Sequence, residues 1–189
     1  MPESGVNRRD FMFGVAGAAG GAWLAAHASE LRAVAEYTAS DAPQQPWEFF
    51  TPDEAREFDA VSAQIVPTDD TPGAREARVV RFTDRWFATM QKEAQPVFRN
   101  DFKLLGDAVA TMTPSNRSFA ALNDAEQVAL LTAFEKSHPV SFGHFRGAVM
   151  QAMFSDPIHG GNFNKVGWQL QGFQDRYSWA PPFGFYDRV

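Results

Sequence analysis

Residues 51–65 read TPDEAREFDAVSAQI and carry a full set of helix signals. Thr51 can cap the helix, Pro52 suits the first helical position, and Glu54 completes a capping box with Thr51. Apolar side chains then recur at helical spacing, at Phe58, Val61 and Ile65. This stretch therefore predicts an amphipathic helix that buries one face.

Similar stripes recur downstream and extend the prediction to the rest of the chain. The second predicted helix, from about residue 74, carries Val79, Phe82, Trp86 and Met90 on one face. The third, after Pro96, carries Phe98, Phe102, Leu105, Val109 and Met112. The fourth begins with a capping box of Asn123 and Glu126 and carries Val128, Leu131 and Phe134. The fifth follows His138-Pro139 and carries Phe142, Phe145, Val149 and Met153. No stretch alternates with the period of two that is typical of a strand. The sequence predicts a single all-α domain of about five helices within residues 49–189.

Helical spacing is lost from Ser155 onward. Residues 156–162 are rich in turn formers, and two adjacent prolines and several aromatic residues follow closer to the C-terminus. This composition predicts an extended aromatic tail over residues 155–189. Such a tail either packs back on its own domain or lies on a partner.

The first 28 residues have the pattern of an export signal. Arg8 and Arg9 precede Phe11 and an apolar run of about a dozen residues, and the small-residue triplet Ala26-His27-Ala28 lies beyond it. The paired arginines and the glycine-diluted apolar run resemble a twin-arginine (Tat) signal, the route for proteins exported already folded. The predicted localisation is therefore periplasmic.

Three positions depart from the general Tat pattern of Ser/Thr-Arg-Arg-x-Phe-Leu-Lys, namely Asn7, Met12 and Phe13. The alternatives are a disordered basic start before an ordinary helix and, with less support because glycines weaken the run, a membrane span. We interpret residues 1–28 as the signal and residues 29–48, which have no clean period, as a linker. Whether the signal is removed stays open.

Composition narrows the function classes. The 189 residues carry a formal net charge of −6. This acidity argues against nucleic-acid binding, because a nucleic-acid-binding domain shows a basic face. The absence of cysteine excludes disulfides, zinc ribbons, iron–sulfur clusters and thiol nucleophiles. The 18 phenylalanines are an unusually apolar aromatic content that must be covered by the core or by a partner.

Candidates for chemistry are few. The histidines downstream of the signal, His138, His144 and His159, show no His-Glu-x-x-His motif and no helical zinc spacing. A metal site of His144 and His159 with Asp69 and Asp70 stays open as an alternative, although the aspartates most simply cap loop amides. The sequence has no phosphate-binding glycine loop and no Gly-x-Ser-x-Gly elbow. The residues alone predict no catalytic residue, and no cofactor or metal bound by this chain.

Two blocks of sequence resemble a known family. The first comprises residues 49–54 (FFTPDE) and 65–74 (IVPTDDTPGA). The second comprises residues 154–162 (FSDPIHGGN), then Val166-Gly167-Trp168 and Gly172-Phe173. Together they resemble the gluconate 2-dehydrogenase subunit 3 family, the small subunits of membrane-associated flavin dehydrogenases. A Tat signal before the small-subunit domain is also typical of that family.

The resemblance implies an accessory role. Such subunits partner a large FAD-containing oxidoreductase of the glucose–methanol–choline type, which oxidises sugars, sugar acids or alcohols. The small subunit carries the large one through the Tat translocase, and electrons leave to a multihaem cytochrome c subunit or another acceptor. It implies that FAD lies in the partner, and that the complex is periplasmic or held at the membrane.

The same region supplies candidate partner contacts. Glycine lets a backbone approach its neighbour closely, asparagine offers both hydrogen-bonding senses, and aromatic residues dominate interface energies. The candidate interface residues are His159, Gly160, Gly161, Asn162, Trp168, Phe173, Trp179, Phe183, Phe185 and Tyr186. For the Gly-Gly-Asn turn, packing on its own domain stays an equal alternative. For the whole chain, the alternatives are a free-standing exported protein that binds an apolar or sugar ligand in an aromatic pocket, and an enzyme with an unrecognised site around Asp156 and His159.

Overall fold

The computed structural model describes residues 21–39, 46–113, 117–176 and 178. Its α-helices are α1 (Ala28–Ala39), α2 (Pro52–Ile65), α3 (Val79–Thr89), α4 (Gln95–Met112), α5 (Asp124–Ser137), α6 (Pro139–Phe154) and α7 (Val166–Leu170). Residues 21–26 are helical as well and lead into α1. The described ranges contain no strand, and the predicted all-α fold is confirmed.

Both predicted capping boxes form. At the start of α2 the amide of Glu54 donates to Thr51 Oγ1 over 3.2 Å, and the amide of Thr51 donates to the Glu54 carboxylate over 2.8 Å. At the start of α5 the matching bonds between Asn123 and Glu126 are 3.0 and 2.9 Å long. Each box satisfies amides that have no partner within the helix, which fixes where the helix begins.

The α2 cap is tied to α4 by Arg99. The guanidinium donates to both Glu54 carboxylate oxygens, over 2.5 and 2.6 Å, and to the carbonyl oxygen of Phe49 over 2.6 Å. Burial alone would raise the pKa of Glu54, but hydrogen bonds from Arg99 and Thr51 outweigh it and hold that pKa below its ordinary value. The link therefore stabilises the fold above the pKa of the unfolded glutamate, and its contribution is lost as the pH falls through the folded pKa.

Phenylalanine rings form the centre of the core. Phe98 lies in the middle, with ring centroids 5.6 Å from Phe58 on α2, 4.4 Å from Phe87 on α3 and 5.3 Å from Phe145 on α6. All four side chains are buried. Tilted and edge-to-face contacts at these distances add to the free energy of apolar burial. The predicted stripes of α2, α4 and α6 meet in this cluster.

The stripes are wrong at their margins. Met112 at the end of α4 and Val128 in α5 are 49% and 53% exposed, whereas Phe87 and Leu130 are buried in the positions facing the core. The second predicted helix corresponds to α3. It begins at Val79 rather than near residue 74, because Arg78 has a left-handed backbone with φ 56° that interrupts helical geometry.

The linker prediction is wrong for residues 29–39, which belong to α1. This helix packs on α3 and on the turn at Pro157–His159, and it buries Leu31 and Val34. Leu31 and Val34 mark its inner face among alanines and polar residues, and two positions are too few to show a clean period. None of the helices in the described part of the chain is long and apolar enough to span a membrane.

The extended-tail prediction is wrong for residues 157–170. The 3₁₀ turns Pro157–His159 and Phe163–Lys165 lead into α7, so most of this stretch is helical rather than extended. The tail residues Trp179, Phe183, Phe185 and Tyr186 lie outside the described residues. So do the targeting residues Arg8, Arg9 and Phe11.

Candidate functional site

The turn around Gly160 holds α1 against the domain. The amide of Ile158 donates to the Asp156 carboxylate over 3.0 Å, and Gly160 closes the turn with φ 89°. A Cβ built on Gly160 would lie 2.7 Å from backbone atoms of Val34 and Ala35, closer than real Cβ atoms approach anything. Glycine is therefore required here for both its backbone conformation and its lack of a side chain.

Asn162 holds α7 against the end of α6. Its side chain is fully buried. Its backbone amide donates to the Ala152 carbonyl oxygen over 2.6 Å, and its side-chain Oδ1 accepts from the Gly167 backbone amide over 2.7 Å. Gly161 is also buried, since a Cβ there would lie 1.9 Å from Ser155 Oγ. The whole Gly-Gly-Asn block is thus internal.

The interface prediction is corrected for Gly160, Gly161 and Asn162. The close backbone approach expected of the glycines does occur, but the neighbour at Gly160 is α1 of the same chain. The alternative, a loop that packs on its own domain, describes this block. Of the two hydrogen-bonding senses of the Asn162 side chain, the acceptor is used inside the chain, where Oδ1 binds the Gly167 amide, whereas Nδ2 has no partner within the described residues.

We expect Gly160→Ala to lower the free energy of unfolding by about 2–4 kcal/mol, because it combines a left-handed backbone with a clash against α1. Gly172→Ala is the matched control: Gly172 also has a positive φ, 65°, but a Cβ there meets nothing within 4 Å. It should cost only about 1 kcal/mol. Urea unfolding measures both variants, and limited proteolysis within α1 should accelerate only in Gly160→Ala. Equal losses in the two variants would contradict the role assigned to the Gly160–α1 contact.

Trp168 and Phe173 form an aromatic pair next to this turn. Trp168 is partly buried and its Nε1 donates to the Phe154 carbonyl oxygen over 3.2 Å. Phe173 lies edge-on to it, with ring centroids 5.0 Å apart, and remains 49% exposed. The structure therefore uses Trp168 to anchor α7 and presents Phe173 to the outside.

A second apolar surface surrounds His159, which is itself half-buried. Ile158, on the same turn, is 70% exposed, and Leu24, in the helical residues before α1, is 42% exposed. Both line an open groove together with Leu31 and His159. Exposed apolar side chains grouped in this way are typical of a surface that another molecule covers.

An aromatic cleft lies between α3, α4 and α6. An aromatic pocket was one of the alternatives for this chain, but the sequence assigned no residues to it. It has a volume of about 450 Å³ and is lined on the α3 and α4 sides by Phe82, Trp86, Phe87, Val97 and Phe98. The α6 side contributes Gly143, Gly147 and Ala148. The available signal was the run of small residues on the otherwise bulky α6, because they leave space beside a helix that carries large side chains elsewhere.

Four polar side chains line the cleft, Thr83, Gln91, His144 and Gln151, and two of them have notable surroundings. Thr83 is 1% exposed, and its Oγ1 has no hydrogen-bond partner within the described residues. His144 is partly exposed, and its Nδ1 lies 2.9 Å from a carboxylate oxygen of Asp101, which is 2% exposed. Since a carboxylate only accepts, Nδ1 carries a proton and Nε2 is left for another contact. Such a fixed imidazole in an apolar cleft can orient a polar group.

The loop aspartates serve the loop. Asp69 Oδ1 accepts hydrogen bonds of 2.9 Å from both the amide and the hydroxyl of Thr71, and these bonds lower the pKa of Asp69. The predicted capping role is therefore confirmed for Asp69. In the described ranges, no three histidine, aspartate or glutamate side chains come together as a metal site would require. The proposed grouping of His144 with His159 and the aspartates does not form there, since His144 pairs with Asp101.

The family model of gluconate 2-dehydrogenase subunit 3 matches residues 52–175, about two thirds of the chain. The chain belongs to this family. The match begins at the first residue of α2 and ends beyond Phe173, so it includes the core helices, the Gly-Gly-Asn block and the cleft. No curated protein and no solved structure gives a match to this chain.

The family assignment confirms the coarser part of the functional prediction. The family is named for one subunit of gluconate 2-dehydrogenase, so this member is a subunit of a dehydrogenase complex, and catalytic partner subunits are implied. Membership also explains why residues 65–74 and 154–162, far apart in sequence, both matched the family pattern. Glycines in both blocks are fixed by packing: a Cβ on Gly73 would lie 2.5 Å from the backbone of Val66 and Pro67.

Proposed function

We propose that this chain is the non-catalytic small subunit of a periplasmic flavin-dependent dehydrogenase that oxidises sugars, sugar acids or alcohols. The observation that carries the proposal is the family match over residues 52–175. In this proposal the FAD is held by a large partner of the glucose–methanol–choline type, and a multihaem cytochrome c subunit or another acceptor takes the electrons. The small subunit stabilises the large one and brings it to the Tat translocase.

The described surface is compatible with a partner contact near the C-terminal end of the matched region. Phe173 and Ile158 are both exposed, at 49% and 70%, although each is large and apolar. Aromatic residues at an interface contribute most when a partner buries them fully. Because the chain has no cysteine, the complex must be held by apolar burial and hydrogen bonds rather than by disulfides.

Purification of the tagged chain from its native host tests the proposal. We expect a yellow flavoprotein to co-purify, and the sugar or alcohol dehydrogenase activity to follow that flavoprotein. The chain made alone should be inactive and less soluble than the chain in its complex. Oxidation of a sugar by the isolated chain, or recovery of the chain with no flavoprotein, would overturn the assignment.

The contact residue can be tested in the same experiment. Phe173→Ala is expected to weaken the association about ten-fold or more, because it removes a ring that we place in the interface. The control is Val140→Ala, at an apolar residue that is 69% exposed on the first turn of α6. Flavin recovered per mole of tagged chain measures both. Equal recovery from the two variants would show that Phe173 does not contact the partner.

A further inference from the structure

The cleft between α3, α4 and α6 has the shape and lining of a small-molecule site. Phe82 and Trp86 lie stacked along α3 with ring centroids 5.5 Å apart and ring planes 17° apart. The α6 side of the cleft has no bulky side chain at Gly143 or Gly147, and a Cβ at either position would meet nothing within 4 Å. Its volume of about 450 Å³ falls within the range of sites for drug-sized ligands. A flat, largely apolar ring is the shape that such a space accepts.

The polar groups of the cleft define the rest of the ligand. Buried hydroxyl groups are nearly always hydrogen-bonded, yet Thr83 Oγ1 has no partner within the described residues. An oxygen on the ligand that accepts from this hydroxyl would satisfy it. His144, fixed through Nδ1 by the buried Asp101, lines the same cleft, and its Nε2 can accept a hydrogen bond from a hydroxyl group on the ligand.

We propose that this cleft binds a planar, largely apolar ring that carries carbonyl or hydroxyl oxygens, the chemistry of a quinone or a phenol. The ring packs beside Phe82 and Trp86, a carbonyl oxygen accepts a hydrogen bond from the Thr83 hydroxyl, and a hydroxyl group on the ring can donate to His144 Nε2. The aromatic lining supplies the affinity through apolar burial, and the two polar groups select an oxygenated ring over a plain hydrocarbon. The inference concerns binding by this chain and does not depend on the proposed dehydrogenase partner.

A matched pair of probes tests this selection on the full chain. The probes are 2-methyl-1,4-naphthoquinone and 2-methylnaphthalene, which share the same carbon ring but differ in the two carbonyl oxygens. Equilibrium dialysis gives the dissociation constants, and ligand-observed nuclear magnetic resonance confirms direct contact. Because the chain has no cysteine, a thiol adduct of the quinone cannot imitate binding. We expect the quinone to bind at least about five-fold more tightly than the hydrocarbon, the effect of one hydrogen bond.

Two variants locate the site. Thr83→Val keeps the shape and removes an unpartnered hydroxyl, so it should fold normally, lose about five-fold in quinone affinity and leave the hydrocarbon affinity unchanged. Gly147→Leu should fill the cleft and abolish binding of both probes. Gly106→Leu, at a glycine on α4 that has open space and does not line the cleft, is the control and should change neither affinity. No binding by either probe, equal affinities for the two, or equal effects of the Gly147 and Gly106 variants would each overturn the proposal.

Discussion

Replacing Asp84 with alanine is expected to lower the free energy of unfolding by about 3–5 kcal/mol. The side chain is completely buried, and its carboxylate accepts the backbone amides of Glu48, Phe49 and Phe50 over 3.0, 2.9 and 2.8 Å. Alanine would leave these amides without this acceptor, and two of them, at Phe49 and Phe50, belong to buried residues. A buried donor without its partner costs the full loss of its hydration.

The loss should spread to the aromatic core. The three amides belong to the segment that positions the Phe49 and Phe50 rings, which are 5% and 3% exposed and contact Phe58, Phe87 and Phe98. Without Asp84 this segment loses the acceptor of three of its amides and is held less firmly, so we expect weaker near-ultraviolet circular dichroism from the rings. Asp84→Asn keeps one acceptor oxygen and the side-chain volume, and should cost less than the alanine variant.

Urea unfolding measures the effect, with Asp59→Ala as the control. Asp59 pairs with Arg75 over 2.9 Å at the surface, where both side chains are at least 40% exposed. Such pairs contribute at most about 1 kcal/mol. If Asp84→Ala destabilised the chain no more than Asp59→Ala, the three amides would have to be satisfied in another way, and the anchoring role of Asp84 would be wrong.

The features that sequence predicted well are those determined by near neighbours. Each capping box joins two residues that are three positions apart, Thr51 with Glu54 and Asn123 with Glu126. Each cap can therefore be predicted from the sequence alone. The phenylalanine stripes are equally local, because helical spacing brings them to one face whatever lies opposite. Asp84 was not recognised, since the amides that it accepts are 34 to 36 residues away.

The candidate site shows the same division between local and distant causes. The turn-forming sequence at 156–162 correctly indicated a close backbone approach at Gly160, because the absence of a side chain is a local property. The identity of the neighbour was wrong, since α1 lies about 125 residues earlier in the chain and was interpreted as a linker. The aromatic cleft needs three helices to form it, and the hydroxyl of Thr83 becomes notable only once its surroundings are known.

The largest effect on function is expected from the paired substitution Arg8→Lys with Arg9→Lys, as a test of the proposed export route. We expect this variant to leave both the chain and its flavoprotein in the cytoplasm, with loss of periplasmic dehydrogenase activity. Lysine keeps both positive charges, so attraction to an anionic membrane surface is unchanged. A receptor that reads the arginine pair as an address distinguishes the two side chains, since only arginine offers a planar fork of donors.

Cells are fractionated into cytoplasm and periplasm, and the flavoprotein is followed by its flavin absorbance. This measurement distinguishes export of the chain from export of the flavoprotein. Arg32→Lys is the control, because Arg32 is 81% exposed on α1 and lies outside the predicted signal; it should leave export unchanged. If the paired variant stranded the chain but the flavoprotein still reached the periplasm, the carrier role would be wrong while subunit assembly stayed possible. If both proteins were exported normally, residues 1–28 would not act as a Tat signal at all. Joint retention is the outcome expected of a flavoprotein that has no export address of its own and crosses the membrane only when bound to this chain.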